Sequence, residues 1–589
     1  MRKKPVEPPR GPNGVQFTMG ATGLASLTWN GQEFLWPGGN APYLVQVASL
    51  NPDGTSTYMN TQPLNVLSDP QTSTVTQTFD WGSIATQYGA SGDKFSMNVT
   101  IQNNTSLTFN RYWFYPAAIQ FPQTLLNTNN VAQYNLDSVT SIYEDYVSGV
   151  VDLVNEDVTK PLATGFWQGE SPANTKWYVM LFVDPLKNPV PNPNWPVIVR
   201  PIAPGATETF NQSIRFGGPG VPAEELAADV YERYRTTYPR IVQPAPHQPV
   251  ARLSFNGAFR PTLPTNPRGW FNDSNIDVTT PDGVAKFQSA LLSAADRAIA
   301  EMQRVGAGGG IIWDIEGQQL DQSYIGDPVQ AEVLAPELNG VLDEFVDKFK
   351  AAGFPIGFTL RPQQFTVKIG VINVSGTKVT WVSGAQFDDS WATDPGGSTL
   401  TFGVNNIRIA SVESPTQLTL AADGGNASHI QYLYGNQSNI ADAFTQLQAK
   451  IQYAYQRWGA TMFYIDTDIR DIANVTKANV FGQLKAQYPD VFTFPEWKNS
   501  GHYAYTYPWT DAGNGFILPD KNTTLTYPRA AGLIRVPPDE QIANVEQDLT
   551  EAVRLGNVLL FDGWYSHPGN DVVIDIYQTV GTTRGFCQQ

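Results

Sequence analysis

Cysteine is almost absent from this sequence: among 589 residues only Cys587 carries a thiol. One cysteine cannot close an internal disulfide, so packing rather than covalent staples must hold the fold. Histidine is nearly as scarce. His247, His429, His502 and His567 are far apart and show no HExxH or similar pairing, which leaves no metal site to expect. Charge is sparse as well, at 15% of residues against 41% apolar, and cations are the rarer sign. With 37 Lys and Arg against 54 Asp and Glu, the formal net charge is −17. Binding nucleic acid or an anionic membrane needs clustered Lys and Arg, so composition argues against both and favours neutral ligands. No apolar run is long enough to span a bilayer, and the N-terminal MRKKPVEPPRGPNG has positive charge with no apolar stretch behind it. We expect a secreted or periplasmic protein whose signal segment is not part of this chain, with a cytoplasmic location still open.

Nucleotide and serine-hydrolase signatures are missing too. The glycines of Gly306–Gly310 precede a strand candidate instead of following one, and no G-x-S-x-G elbow occurs. No cofactor is therefore expected. Aromatic residues, by contrast, are plentiful, with 15 Trp, 25 Tyr and 30 Phe.

After a flexible N-terminus at 1–14, short apolar runs alternate with Gly, Asn, Pro and Asp turns over 15–218. Asn30-Gly31 reads as a hairpin turn, and the pattern predicts a large antiparallel β-sandwich. Residues 219–250 form a Pro-rich linker with one helix, AEELAADVYERYRTTY. From 251 to 589, apolar strand candidates alternate with amphipathic segments, which predicts a parallel (β/α)8 barrel. The strands expected are Leu253–Asn256, Gly310–Glu316, Ile356–Arg361, Met462–Asp466, Val491–Glu496, Gly532–Val536 and Val558–Asp562, with an atypical last strand near Val572–Tyr577. The segment 365–425 lacks helical period and predicts a small β-module inserted in a barrel loop.

Barrels of this kind keep their chemistry at the carboxyl ends of the strands, so acids closing apolar runs are the candidates. Asp466 closes MFYID and Glu496 closes VFTFPE, one βα unit apart. Retaining glycoside hydrolysis needs two carboxyls about 5 to 5.5 Å apart, and neighbouring strands lie about 4.8 Å apart. Asp468 is a reserve nucleophile or a substrate ligand. Asp314 and Glu316 in IIWDIEG share a strand phase and are expected to face the mouth as substrate ligands. Arg361 would hold a carboxylate ionised or bind a hydroxyl. Flat rings pack on sugar faces, so Trp270, Trp313, Trp497, Trp564 and the run His502, Tyr503, Tyr505, Tyr507, Trp509 are candidate sugar-binding residues displayed on loops.

The phrase ATETFNQSIRFG is similar to the supersandwich that precedes many glycosidase barrels, and FYIDTD followed by FPEW resembles the retaining α-glycosidases of endo-α-N-acetylgalactosaminidase-like and α-amylase-like architecture. That resemblance implies a strand-four nucleophile at Asp466, a strand-five acid/base at Glu496, and a transition-state-stabilising carboxylate at Asp562. Tyr464 stands where amylase-like barrels keep an Arg. The expectation is a glycoside hydrolase acting on an oligo- or polysaccharide with retention at an α-linkage. A non-catalytic carbohydrate-binding or structural surface protein, or a transglycosylase, are the alternatives.

Overall fold

The computed structural model describes residues 14–38, 41–51, 54–121, 141–146, 148–160, 162–168, 176–185, 198–241, 248–255, 263, 265–317, 325–393, 399–403, 405–437, 443–466, 478–496, 500–512, 524, 526–528, 530–537, 539–566 and 568–582.

The N-terminal part, Val15 to Gly217, is built from antiparallel sheets of seven, five and three strands. Strand Lys94–Asn103 alternates, with Phe95, Met97, Val99 and Ile101 fully buried and their neighbours not, whereas Arg111–Gln120 and Gly149–Asn155 carry continuous buried runs. The hairpin expected at Asn30-Gly31 is present, with φ of 50° and 80° between paired Trp29 and Gln32. Two positive φ values are what a two-residue type I′ turn requires, hence Asn-Gly. The linker carries helix α1 (Ala228–Thr237), whose Val230, Tyr231 and Tyr234 meet Val154 and Val158 of the sandwich on one side and Tyr503, Ala504 and Tyr527 on the other.

Eight parallel strands follow: β1 (Val250–Leu253), β2 (Gly309–Ile312), β3 (Ile356–Leu360), β4 (Met462–Ile465), β5 (Phe492–Pro495), β6 (Trp509–Asp511), β7 (Leu533–Arg535) and β8 (Val558–Asp562). Neighbours in sequence are neighbours in the sheet, and β8 returns to pair with β1. The remaining seam is bridged by the Tyr507 N–H, which donates to the Thr493 carbonyl at 3.1 Å. Alternation then sorts side chains into two layers. Val250, Ile311, Met462, Tyr464, Phe494, Leu533, Val558 and Leu560 pack inside, while Leu253, Ile312, Phe358, Phe463, Ile534, Leu559 and Phe561 face the helices. Gly357 is required where β3 meets β4, because a Cβ there would lie 1.4 Å from the Met462 carbonyl oxygen. The helices are α2 (Pro281–Val305), α3 (Leu342–Ala351), α4 (Ala443–Trp458), α5 (Ala478–Gln487), α6 (Asp539–Arg554) and α7 (Pro568–Thr582). Helix α2 shows why its boundaries fall where they do: the Thr280 hydroxyl accepts from the Gly283 N–H, Pro281 opens the first turn, and Gly306 closes it in the left-handed region.

Three expectations change. The strand missing from the sequence reading is β6, inside the aromatic run, whereas Val572–Tyr577 lies within helix α7. Asp562 therefore closes the eighth strand, not the seventh. The inserted module is a closed six-stranded antiparallel barrel whose last strand, Asn426–Gln437, pairs with Phe365–Ser375 along its length, so its sheet extends beyond residue 425. Among the described residues no helix is long and apolar enough to cross a membrane.

Candidate active site

The carboxyl ends of β3, β4 and β5 set three polar side chains in a row. Leu360 is level with Ile465, and Ile465 with Pro495, so the next positions are Arg361, Asp466 and Glu496. Backbone bonds extend this register by one residue: the Asp466 N–H donates to the Leu360 carbonyl at 2.8 Å, and the Glu496 N–H to the Ile465 carbonyl at 3.0 Å. Asp466 and Glu496 continue the inward phase set by Tyr464 and Phe494. Asp466 is 7% exposed and receives two bonds on Oδ2, from Arg361 Nε and from a terminal guanidinium nitrogen, each at 2.8 Å. A buried carboxylate without such a counter-charge would be costly. Arg361 is itself fixed from behind by Lys450 of α4, whose Nζ donates to the carbonyls of Arg361 and Gln363 at 2.8 Å and lies 3.7 Å from Asp327.

The opposite wall consists of β6, β7, β8 and β1. Asp562 is level with Arg252 and accepts from its guanidinium at 3.0 Å. Arg535 is level with Asp511, 3.8 Å away. Between the walls Trp313 stacks on Tyr464, with ring centroids 4.2 Å apart, and Trp509 meets Tyr464 edge-on at 5.7 Å. Asp511, Arg535 and Arg252 were not singled out in the sequence. The signal available for Asp511 was the period-two run Tyr507, Trp509, Asp511, which marks an inward-facing strand.

Other expected residues lie elsewhere. Asp314 and Glu316, each 1% exposed, serve the scaffold: β2 ends at Ile312 and the chain turns. Asp314 accepts from the Ser254 hydroxyl at 3.0 Å and from the Phe255 N–H at 2.9 Å. Glu316 accepts from the Ile325 and Gly326 N–H groups, and burial pushes its pKa up to about 7 against the pull of those amides. Trp270 is fully buried, its indole N–H bonded to Glu337. The 502–507 run is not displayed: His502, Tyr503 and Tyr507 are 0%, 4% and 2% exposed, because they pack under α1, against Phe481, or inside the barrel. Tyr505 is half-buried, and Trp564 packs edge-on to Phe255. Asp468 and Trp497 lie outside the described residues. Among the described residues no cluster of His, Cys, Asp and Glu is arranged to hold a metal.

The fold and site thus define a β-sandwich joined to a parallel β/α barrel, with acids, arginines and rings gathered at the carboxyl rim. Among solved structures the chain is similar to an α-N-acetylgalactosaminidase of Bifidobacterium bifidum complexed with Gal-NHAc-DNJ, at a TM-score of 0.51 and 9% identity over 96% of this chain and 92% of that one. An α-galactosidase of Lactobacillus brevis aligns at a TM-score of 0.41 and 9% identity, covering 97% and 82%. The galactosidase domain of an α-galactosidase-sucrose kinase aligns at 0.41 and 10%, covering 92% and 76%. The first of these likenesses establishes a shared fold. No protein-family model matches the chain, and no curated protein matches it.

Proposed function

We propose that this protein is a glycoside hydrolase cleaving an α-linked glycan by retaining double displacement, with Asp466 as nucleophile and Glu496 as general acid/base. The observation that carries the reading is the lateral adjacency of two inward carboxyl groups on β4 and β5, one of them held by Arg361. Adjacent strands lie about 4.8 Å apart, near the roughly 5 to 5.5 Å that retention needs, whereas inversion needs about 6.5 to 9.5 Å. The fold shared with an α-N-acetylgalactosaminidase supports the sugar chemistry and the α-linkage. In the first step the Asp466 carboxylate attacks the anomeric carbon while Glu496 protonates the departing oxygen. In the second, Glu496 takes the proton from water as it attacks the glycosyl-enzyme.

Asp511 favours a second assignment of the acid. It closes β6, with an inward phase over the same mouth but two strands from Asp466, so as the acid it would have to reach across the end of β5 to come within retaining distance. Three substitutions separate the two. Asp466→Asn should abolish turnover while leaving sugar binding intact. Whichever of Glu496→Gln and Asp511→Asn spares activated aryl glycosides, loses the natural glycan, and regains rate with azide to give a product of retained configuration carries the acid/base. A product of inverted configuration, or full activity of Asp466→Asn, would overturn the mechanism.

A further inference from the structure

On the wall facing Asp466 two arginines stand beside two carboxylates, yet several of their N–H groups reach no acceptor among the described residues. Arg535 follows inward Leu533 and outward Ile534, and Arg252 follows inward Val250 and outward Ala251, so both guanidinium groups extend into the mouth. They are close enough to feel each other: the Arg535 pKa is lowered, by burial first and then by Arg252, against the pull of Asp562 and Asp511. Arg252 gives one nitrogen to Asp562, but its Nε is buried with no hydrogen-bond partner among the described residues. Arg535 feels two carboxylates, Asp562 and Asp511, but hydrogen-bonds neither among the described residues: Asp511, at 3.8 Å, is beyond hydrogen-bond distance. On Asp466's own side, Thr359 of β3, level with Tyr464 of β4 and 2% exposed, also has a buried hydroxyl without a partner among the described residues. A donor withdrawn from water and left unfilled is costly, and with the Arg252 and Arg535 side chains only 20% and 33% exposed, such a concentration points to a ligand.

The shape of the wall narrows the ligand. The Arg252 guanidinium lies 5.2 Å over the Trp313 ring, whose other neighbour is Tyr464. A sugar hydroxyl brings a donor along with its acceptor, whereas a carboxylate or sulfate brings only acceptors and matches the fork of an arginine. We propose that the sugar unit bound in this mouth carries an anionic oxyacid group, a carboxylate or a sulfate ester, received by Arg252 and Arg535. The inference rests on the reading of the mouth as a glycosidase site and names its substrate class. The net charge of −17 does not oppose it, since screening confines surface charge to about 8 Å at physiological salt.

Calorimetric titration of the whole chain with galacturonate and glucuronate, with galactose 6-sulfate, and with galactose and glucose tests it. At least one anionic sugar should bind about tenfold or more tightly than its neutral counterpart, a difference of about 1.4 kcal/mol. The preference should shrink with added salt and vanish in Arg535→Gln, and the uronate and sulfate arms tell which group is recognised. Equal or tighter binding of the neutral sugars, or a preference that Arg535→Gln leaves intact, overturns the proposal. The comparison within the unmodified protein decides the matter even where the variant does not fold. Anionic binding with no turnover of any aryl α-glycoside or α-uronide would sink the hydrolase reading alone. Efficient turnover of neutral aryl α-glycosides with no preference for acids would sink this one alone.

Discussion

Arg361 places two nitrogens on a single oxygen of Asp466, Oδ2, each at 2.8 Å, with both side chains 10% exposed. Oδ1 is left out of that contact. The ion pair thus orients the carboxylate from the β3 side.

Breaking this pair from one side should cost more than removing it whole. Arg361→Leu leaves a buried carboxylate uncompensated and should lower stability by about 3–5 kcal/mol. Adding Asp466→Asn to it should restore part of that loss. Chemical denaturation of the two single variants and the double variant measures the coupling, and strict additivity would refute a direct electrostatic link.

Glu316 predicts a pH dependence of barrel stability. Its folded pKa of about 7 lies above the usual carboxylate value of 4.5, so between those values the folded protein holds a proton that the unfolded chain releases. This contribution is complete below about pH 4.5 and is lost as pH rises through about 7, by at most about 3 kcal/mol. Urea midpoints measured from pH 4.5 to 8 should fall less steeply in Glu316→Gln than in the unmodified protein.

The joint between sandwich and linker should be acid-labile in the opposite sense. Burial alone would raise the Glu156 pKa, but Arg215, Lys94 and Ser213 bring it down to about 2. Its stabilisation is therefore present above about pH 4.5 and is lost as pH falls through about 2. Arg215 also pairs with Asp229 of α1, so acid should loosen the helix that joins sandwich to barrel. Limited proteolysis around 221–241 should accelerate below pH 4, and Glu156→Gln should bring that sensitivity into the neutral range.

Excising the inserted barrel needs different limits from those the sequence suggested. Removing Phe365 to Gln437 with a short Gly/Ser bridge takes the closed sheet out whole, whereas stopping at Gly425 would leave Asn426–Gln437 as an unpaired strand. Leu433 packs against Ile325 and Leu334 of the barrel, so the loss should be about 1–3 kcal/mol, with cooperative unfolding retained. A broad, non-cooperative transition would show the insert to be integral to the barrel.

What the sequence determined by itself was local and periodic. Alternating apolar strands, Asn-Gly at 30–31, the capped helix after Thr280, and the acids closing MFYID and VFTFPE are patterns that short-range sterics and burial impose. Tertiary structure decided the rest, because burial and pairing depend on distant partners. Strand β6 is three residues long with a Thr at its centre, and it exists because β7 pairs with it and Tyr507 reaches back to Thr493. The rings at 503 and 507 alternate as a displayed strip would, yet the docking of α1 and closure of the barrel bury them. Asp314 and Glu316 keep a common phase only while the strand continues, and the turn after Ile312 gives their carboxylates to backbone amides instead. The Arg252–Asp562 pair spans 310 positions of chain, so only the return of β8 to β1 brings the two together.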